Sequence, residues 1–287
     1  MAIHHFILTR FNLTLWTKDK NDSSIDRNEW LRERLKLFET YCLPSVKAQT
    51  CRDFTWVLLC EKEAGTEEGG KWIEEKMEEY KRLCPQIRPV WVRNKYGRAF
   101  ASIFRNATIK LLRERSLQND DLCLTTYLDN DDMLHPLYVQ FVRQEAAKSG
   151  VGTAISYDYG LQYFTELNLA TRVSYPNNHF MTFVENVRNV RTCYGYGSHF
   201  LLEKTKAVNV CHIKNIGWPM WVEVVHGSNV DNDVKMTFDT SVLDTGSEMA
   251  REFGLDVSGC RRKDYYKRFI QQAIRRLHDK IIPRKWE

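Results

Sequence analysis

Along the first half of the chain, apolar runs of strand length alternate with segments whose apolar residues recur every three or four positions. "IHHFILTRF" (3–11) is continuously apolar and β-prone, which predicts a strand. From Glu29 onward Leu31, Leu35, Phe38 and Cys42 fall at helical spacing, and Pro44 predicts a kink or restart before Gln49. "FTWVLLCE" (54–61) reads as a second, buried strand. Ile73, Met77, Tyr80 and Cys84 then share one helical face behind an acidic first turn. "IRPVWV" (87–92) predicts a third strand, set near a sheet edge by Pro89. Phe100, Phe104, Ala107 and Leu111 mark a helix over about 97–115, and "LCLTTYL" (122–128) predicts a fourth strand. This rhythm implies an α/β fold with a mostly parallel, helix-flanked sheet, in which ligands gather at the carboxyl ends of the strands.

The second half is less regular. A helix is expected over 136–148 and a strand at "TAISYDY", followed by a polar, aromatic stretch to about Arg191. "GYGSHFLLEK" and "WPMWVEVVHGSNV" come next, and no linker divides the body, so residues 1–250 are expected to form one domain. Residues 251–287 are expected to form a basic, amphipathic, helical tail. There Phe269, Ile270, Ala273, Ile274, Leu277 and Ile281 recur at helical spacing.

Charge sharpens that division. Of a net +5, the segment 261–287 contributes +7 (ten Lys/Arg against Asp264, Asp279 and Glu287), so the remainder is −2. A basic tail on an acidic body argues against a nucleic-acid protein, and no RNA- or DNA-binding module accompanies it. The tail suits either an anionic membrane surface or packing on the body. The eight cysteines form no CxxC pair and no zinc-type cluster, which predicts buried free thiols in a reducing compartment. No segment reaches membrane-spanning length, and "MAIHHFILTRFN" is too short in apolar residues for a signal peptide. A cytoplasmic protein, peripheral at most to the inner face of the cell membrane, is expected.

The chemistry concentrates in "LTTYLDNDDMLHP" (124–136), where a strand ends in Asp129, Asp131 and Asp132. Crowded carboxylates repel unless something positive sits among them. Residues i and i+2 on an extended segment point the same way, so Asp129 and Asp131 could share one hard cation. The plain alternative is an acidic turn feeding the helix that begins near Pro136. A calcium loop is excluded by Met133 and Leu134, which replace an oxygen ligand and a glycine. "GYGSHF" lacks the third glycine of a dinucleotide loop.

Several stretches in order resemble family 2 glycosyltransferases: "YCLPSVKAQTCRDFTWVLLCE", then "GRAFASIFRNATIKLL", then "YLDNDDMLHP". More narrowly, "HHFILTRFNL", "TTYLDNDDMLHP" and "VVHGSNV" resemble a bacterial family described as "putative rhamnosyltransferases", over the body to about residue 235. The resemblance implies a glycosyltransferase A-type nucleotide-binding fold, with a nucleotide-sugar half (about 1–135) and an acceptor half (about 136–250). It implies Mn²⁺ or Mg²⁺ held by Asp129 and Asp131, a nucleotide-sugar donor, and a glycan or lipid-linked acceptor. Where relatives end the second strand in Asp-Asp this chain has Cys60-Glu61, which leaves Glu61 to meet the nucleotide.

An inverting transferase of this kind needs a base for the acceptor hydroxyl, and Glu223 in "WVEVVHGSNV" is the first candidate, with Asp158 in reserve. His226 is a candidate further metal ligand. Arg10, Lys95 and Arg98 are candidate partners of the diphosphate, Arg98 opening a helix just after Gly97. Tyr194, Tyr196, Trp218 and Trp221 could wall an acceptor sugar, although core packing claims such residues more often. Two rival readings remain at this stage. One is an Asp-nucleophile phosphatase; the other is a non-catalytic sugar- or nucleic-acid-binding protein on a degenerate transferase fold.

Overall fold

The computed structural model describes residues 1–13, 26–62, 69–93, 99–176, 178–206, 208–214, 217–226, 234, 241–258 and 262–281. Its centre is a seven-stranded sheet in the order β10-β6-β9-β4-β1-β2-β3. The strands are β1 (Ile3–Arg10), β2 (Thr55–Glu61), β3 (Ile87–Val92), β4 (Leu122–Tyr127), β6 (Thr153–Tyr157), β9 (Thr182–Asn186) and β10 (Asn209–Ile213). All run parallel except β9, which lies antiparallel between β4 and β6. The four strands expected in the first half are all present, and Pro89 lies on an edge strand.

Alternation along β1 builds two helical layers. Ile7 faces α1 (Arg27–Leu37), α2 (Leu43–Lys47), α3 (Gly69–Leu83) and α5 (Tyr138–Ser149), in a cluster with Leu35, Val46, Met77 and Val142. Phe6 and Leu8 face the other way, onto Phe104 and Leu112 of α4 (Phe100–Arg113). Pro44 neither stops nor sharply restarts its helix. A π-helical turn at Phe38–Cys42 joins α1 to α2, with helical backbone at both junctions. Proline offers no N–H to the carbonyl four residues back, and the wider turn absorbs that lost bond.

The polar, aromatic stretch of the second half was not expected to be strand, yet it builds β9 and two of the five strands of a second sheet. That sheet runs β12-β8-β7-β11-β5. It comprises β5 (Met133–Leu134), β7 (Tyr159–Phe164), β8 (Leu169–Ser174), β11 (Trp221–Val225) and β12 (Ser241–Val242). Its strands carry buried polar residues such as Gln162 and Thr171, so they lack the apolar continuity that marks β1 or β2. Two short helices, α6 (Leu202–Thr205) and α7 (Glu248–Glu252), precede the long α8 (Arg262–Ile281). Phe253, Leu255 and Val257 pack in one cluster with Leu161 and Val222, so the chain past residue 250 stays joined to the second sheet.

Among the described residues no helix is long and apolar enough to cross a membrane. The seven described cysteines are free thiols, five of them buried.

Candidate active site

Strand β4 delivers the aspartates to the carboxyl end of the sheet, beside Arg10 at the end of β1 and one strand further from Glu61 at the end of β2. The chain turns there: Leu128 N–H still bonds Leu8 O, and Asn130 Nδ2 donates to Phe11 O. The three carboxylates then diverge, each to a different positive or donor group. Asp129 accepts from Arg10 at 3.0 Å and from the Tyr127 hydroxyl at 3.0 Å. Asp131 accepts from Arg34 of α1 at 2.6 Å and from His226 Nε2 at 2.9 Å. Asp132 accepts the backbone N–H of Val224 at 2.9 Å and meets His179 Nε2 at 2.8 Å.

Two of the three are buried: Asp131 is 6% exposed and Asp132 4%. Burial works against the Asp131 anion, but the His226 hydrogen bond and the Arg34 charge prevail and hold its carboxyl at about 2. Burial dominates at Asp132 and, with Asp131 and Asp129 nearby, pushes its carboxyl up to about 7. His179 is also disfavoured as a cation by burial, yet the hydrogen bond and charge of Asp132 raise it above the ordinary histidine value.

These arrangements separate the candidate metal ligands into two sets. Asp129, Asp132 and His179 offer one ligand atom each within 4.8 Å of one another. Two carboxylate oxygens and an imidazole nitrogen make a donor set a divalent cation accepts. Asp131 and His226 instead bond each other, and a cation at Asp131 would compete with Arg34. Arg10 is turned toward Asp129 and Tyr127, its guanidinium within 6 Å of the Phe100, Tyr127 and Tyr194 rings.

Strand β11 supplies the opposite wall. Glu223 Oε2 accepts from Gln162 of β7 at 2.8 Å and lines a cavity of about 180 Å³ with Tyr175, His179, His199, Phe200 and Trp221. A second cavity, of about 280 Å³, runs from Arg10 and Tyr127 past Tyr194 to Leu202. His179 and His199 stand on the walls of both.

Residues 7–237 match the model of the family described as "Putative rhamnosyl transferase". The chain belongs to this family. It is therefore a member of a glycosyltransferase family, which sets the phosphatase reading aside. No curated protein sequence matches the chain. Among solved structures it is similar to S. aureus TarS at 10% identity, with a TM-score of 0.40, over 78% of this chain and 37% of that one. For the S. aureus TarS 1–349 structure the identity is 10% and the TM-score 0.39, over 78% of this chain and 60% of that one. The chain thus spans less than two thirds of the length of either TarS structure.

The fold disperses the other residues singled out in this family member. Asp158 is buried at the end of β6, where Ser156 Oγ donates to it at 3.0 Å and His212 Nδ1 stands 2.8 Å away. Glu61 is fully buried, and Asn12 bonds its backbone N–H and C=O. Trp221 is 1% exposed, stacked on Phe180 at 4.7 Å and bonded to Tyr157 O, so little of it faces the cavity. Tyr194 stacks on Phe104, Tyr196 on Phe183, and Trp218 lies near His135. Lys95 and Arg98 fall outside the described residues.

The sequence reading missed Arg34, Asp132's separate role and His179. Arg34 adjoins the buried face of α1 next to Leu35, which is a weak signal of partial burial. His179 sits 47 residues from Asp132, in a stretch without periodicity, and carried no signal of its own.

Proposed function

We propose that the protein is a divalent-metal-dependent, inverting glycosyltransferase that moves a sugar from a nucleotide-sugar to a hydroxyl of a glycan or lipid-linked acceptor, with rhamnose, named in its family's description and taken here in its L form, as the donor sugar. One observation carries the reading. Asp129, Asp132 and His179 converge at the carboxyl end of β4, and His179 also lines the cavity that holds Glu223. A divalent cation bound there would stabilise the charge of the departing nucleotide diphosphate. The mixed oxygen and nitrogen donors suit Mn²⁺ better than Mg²⁺, which favours oxygen and water.

The remaining steps fall to the chain's own groups. Glu223, oriented by the Gln162 amide, takes the proton of the acceptor hydroxyl. The acceptor oxygen then bonds the anomeric carbon as the carbon–phosphate oxygen bond breaks, and the electron pair leaves with the nucleotide. A single displacement on a β-linked L-rhamnosyl donor gives an α-rhamnoside. Arg10 and Tyr127 hold Asp129 in position, and Arg34 with His226 anchors the turn through Asp131. Lys95 and Arg98 are the proposed diphosphate partners and Asp158 the reserve base; Glu61, expected on the nucleotide side, is fully buried and lines neither cavity, so the proposed donor site does not rely on it. The aromatic rim, Tyr194 foremost, is proposed for sugar contacts. The free thiols of the seven described cysteines suit a reducing cytoplasm as the place of reaction.

The test is nucleotide release from a panel of nucleotide-sugars with Mn²⁺, before and after chelation by EDTA. Release from an L-rhamnosyl donor that EDTA abolishes is expected. Release that survives EDTA refutes the metal assignment, and no release from any donor refutes the transferase reading.

A further inference from the structure

Helix α8 presents two apolar faces, and among the described residues the body packs against one of them. On the covered face Tyr265 is 2% exposed, set edge-on to Phe164 at 5.5 Å, in a cluster with Leu169, Val225 and Val234. Phe269 packs against that cluster, and Gln272 exchanges bonds of 2.6 and 2.9 Å with the backbone of Val234. At about 100° per residue these three positions fall within an arc of roughly 60°.

A second arc holds Tyr266, Ile270, Ile274 and Leu277, which are 54%, 56%, 61% and 61% exposed. They span roughly 80° of the helix circumference, so their side chains form one continuous stripe. Large aliphatic groups repeated along one exposed face mark a contact surface. Its chemistry is set by what borders it: exposed Lys263 lies at the N-terminal end of the stripe, exposed Lys267 lies along its side, and α8 as a whole carries seven Lys/Arg against two Asp. A second copy meeting this face symmetrically would bring two such cationic helices together. An anionic lipid surface attracts the same charges while taking up the apolar stripe.

We propose that α8 lies on an anionic bilayer through Tyr266, Ile270, Ile274 and Leu277, and so holds the cleft where a lipid-linked acceptor is presented; the acceptor clause rests on the transferase reading above. The connection to the cleft is direct. Val225, which packs in the Tyr265 cluster, is two residues from Glu223 and adjacent to the His226 that bonds Asp131. The helix that meets lipid is therefore seated on the strand that carries the proposed base.

Sedimentation of the full chain with vesicles of phosphatidylcholine, with and without phosphatidylglycerol, tests this. The wild type pellets with the anionic vesicles, while Ile270→Glu/Ile274→Glu and Lys263→Glu/Lys267→Glu bind at least about tenfold more weakly, as each cation and each buried aliphatic group adds to the affinity. All four positions are exposed, so helicity is retained and is checked by circular dichroism. A wild type that stays in the supernatant, variants that pellet like the wild type, or a dimer that the Ile variant dissociates would each overturn the proposal. Nucleotide release with a soluble acceptor reads the transferase separately. Its absence alongside intact vesicle binding overturns the acceptor clause alone.

Discussion

Replacing Asp131 by Asn keeps the shape of the side chain and removes its charge from between Arg34 at 2.6 Å and His226 at 2.9 Å. A carboxyl held at about 2, below its ordinary value, contributes on the order of 2 kcal/mol of stability at pH 6. The sign follows from the depressed value. The contribution is complete above the unfolded-state value and is lost as pH falls through the folded one, leaving roughly half of it at pH 3. The variant lacks the term, so its deficit should shrink by about half between pH 6 and pH 3. Urea unfolding followed by tryptophan fluorescence at both pH values measures it. An exposed Asp131 could be lost at no such cost, but its burial at 6% exposure makes it part of the folded framework. Equal stability of variant and wild type at pH 6, or a deficit that does not change with pH, would refute the reasoning.

Calorimetry with Mn²⁺ should show affinity falling by about 10² or more in Asp132→Asn and His179→Ala, the scale of losing a ligand, and by less than about tenfold in Asp131→Asn. Because burial holds the Asp132 carboxyl at about 7, Mn²⁺ affinity should rise as pH increases through 7, since the ligands must shed their protons; a flat profile from pH 6 to 8 would contradict that. Glu223→Gln should keep donor binding while turnover falls by about 10² or more, and near-normal turnover would move the base elsewhere. Gly160→Ala should destabilise the fold by about 3 kcal/mol, the upper end of overpacking, because the added Cβ would lie 2.2 Å from the Trp221 ring; a thermal midpoint equal to the wild type's would show that the ring yields.

How much was legible depends on where the partners lie. Strands β1, β2 and β4 announce themselves because each is buried on both faces and so reads as unbroken apolar sequence. Strands β7 and β9, and β8 apart from Arg172, are largely buried too, but they include polar groups satisfied by partners outside their own strand. Gln162 bonds Glu223 across 61 residues, and Glu185 accepts from the backbone of Arg191 and Thr192. A polar residue in sequence looks solvated until its partner is known. The same limit governs the site. The crowding of Asp129, Asp131 and Asp132 announces a need for positive charge, but the suppliers are 119, 97 and 47 residues away. The alternation expected of i and i+2 also fails here, because the chain turns at Asp129 rather than continuing extended, with Asp132 N–H donating to Asp129 O.

That turn explains how three adjacent carboxylates can serve different ends. Asp131 is neutralised from within by Arg34 and hydrogen-bonded by His226, which ties α1 to the end of β11 across the cleft. Asp132 is fixed by the Val224 N–H, yet its other oxygen meets only a histidine, whose charge depends on a proton. A proton shared with His179 is a replaceable counter-charge; a guanidinium is not. A divalent cation entering among Asp129, Asp132 and His179 would displace that proton and could take Asp129 Oδ2, which meets the Tyr127 hydroxyl, while Arg10 stays on Oδ1; at Asp131 both Arg34 and His226 occupy the same oxygen, Oδ2. The charge accounting thus singles out Asp132, whose counter-charge is a proton, from Asp129 and Asp131, which each already face a guanidinium. It also ties metal occupancy to the pH range in which Asp132 gives up its proton.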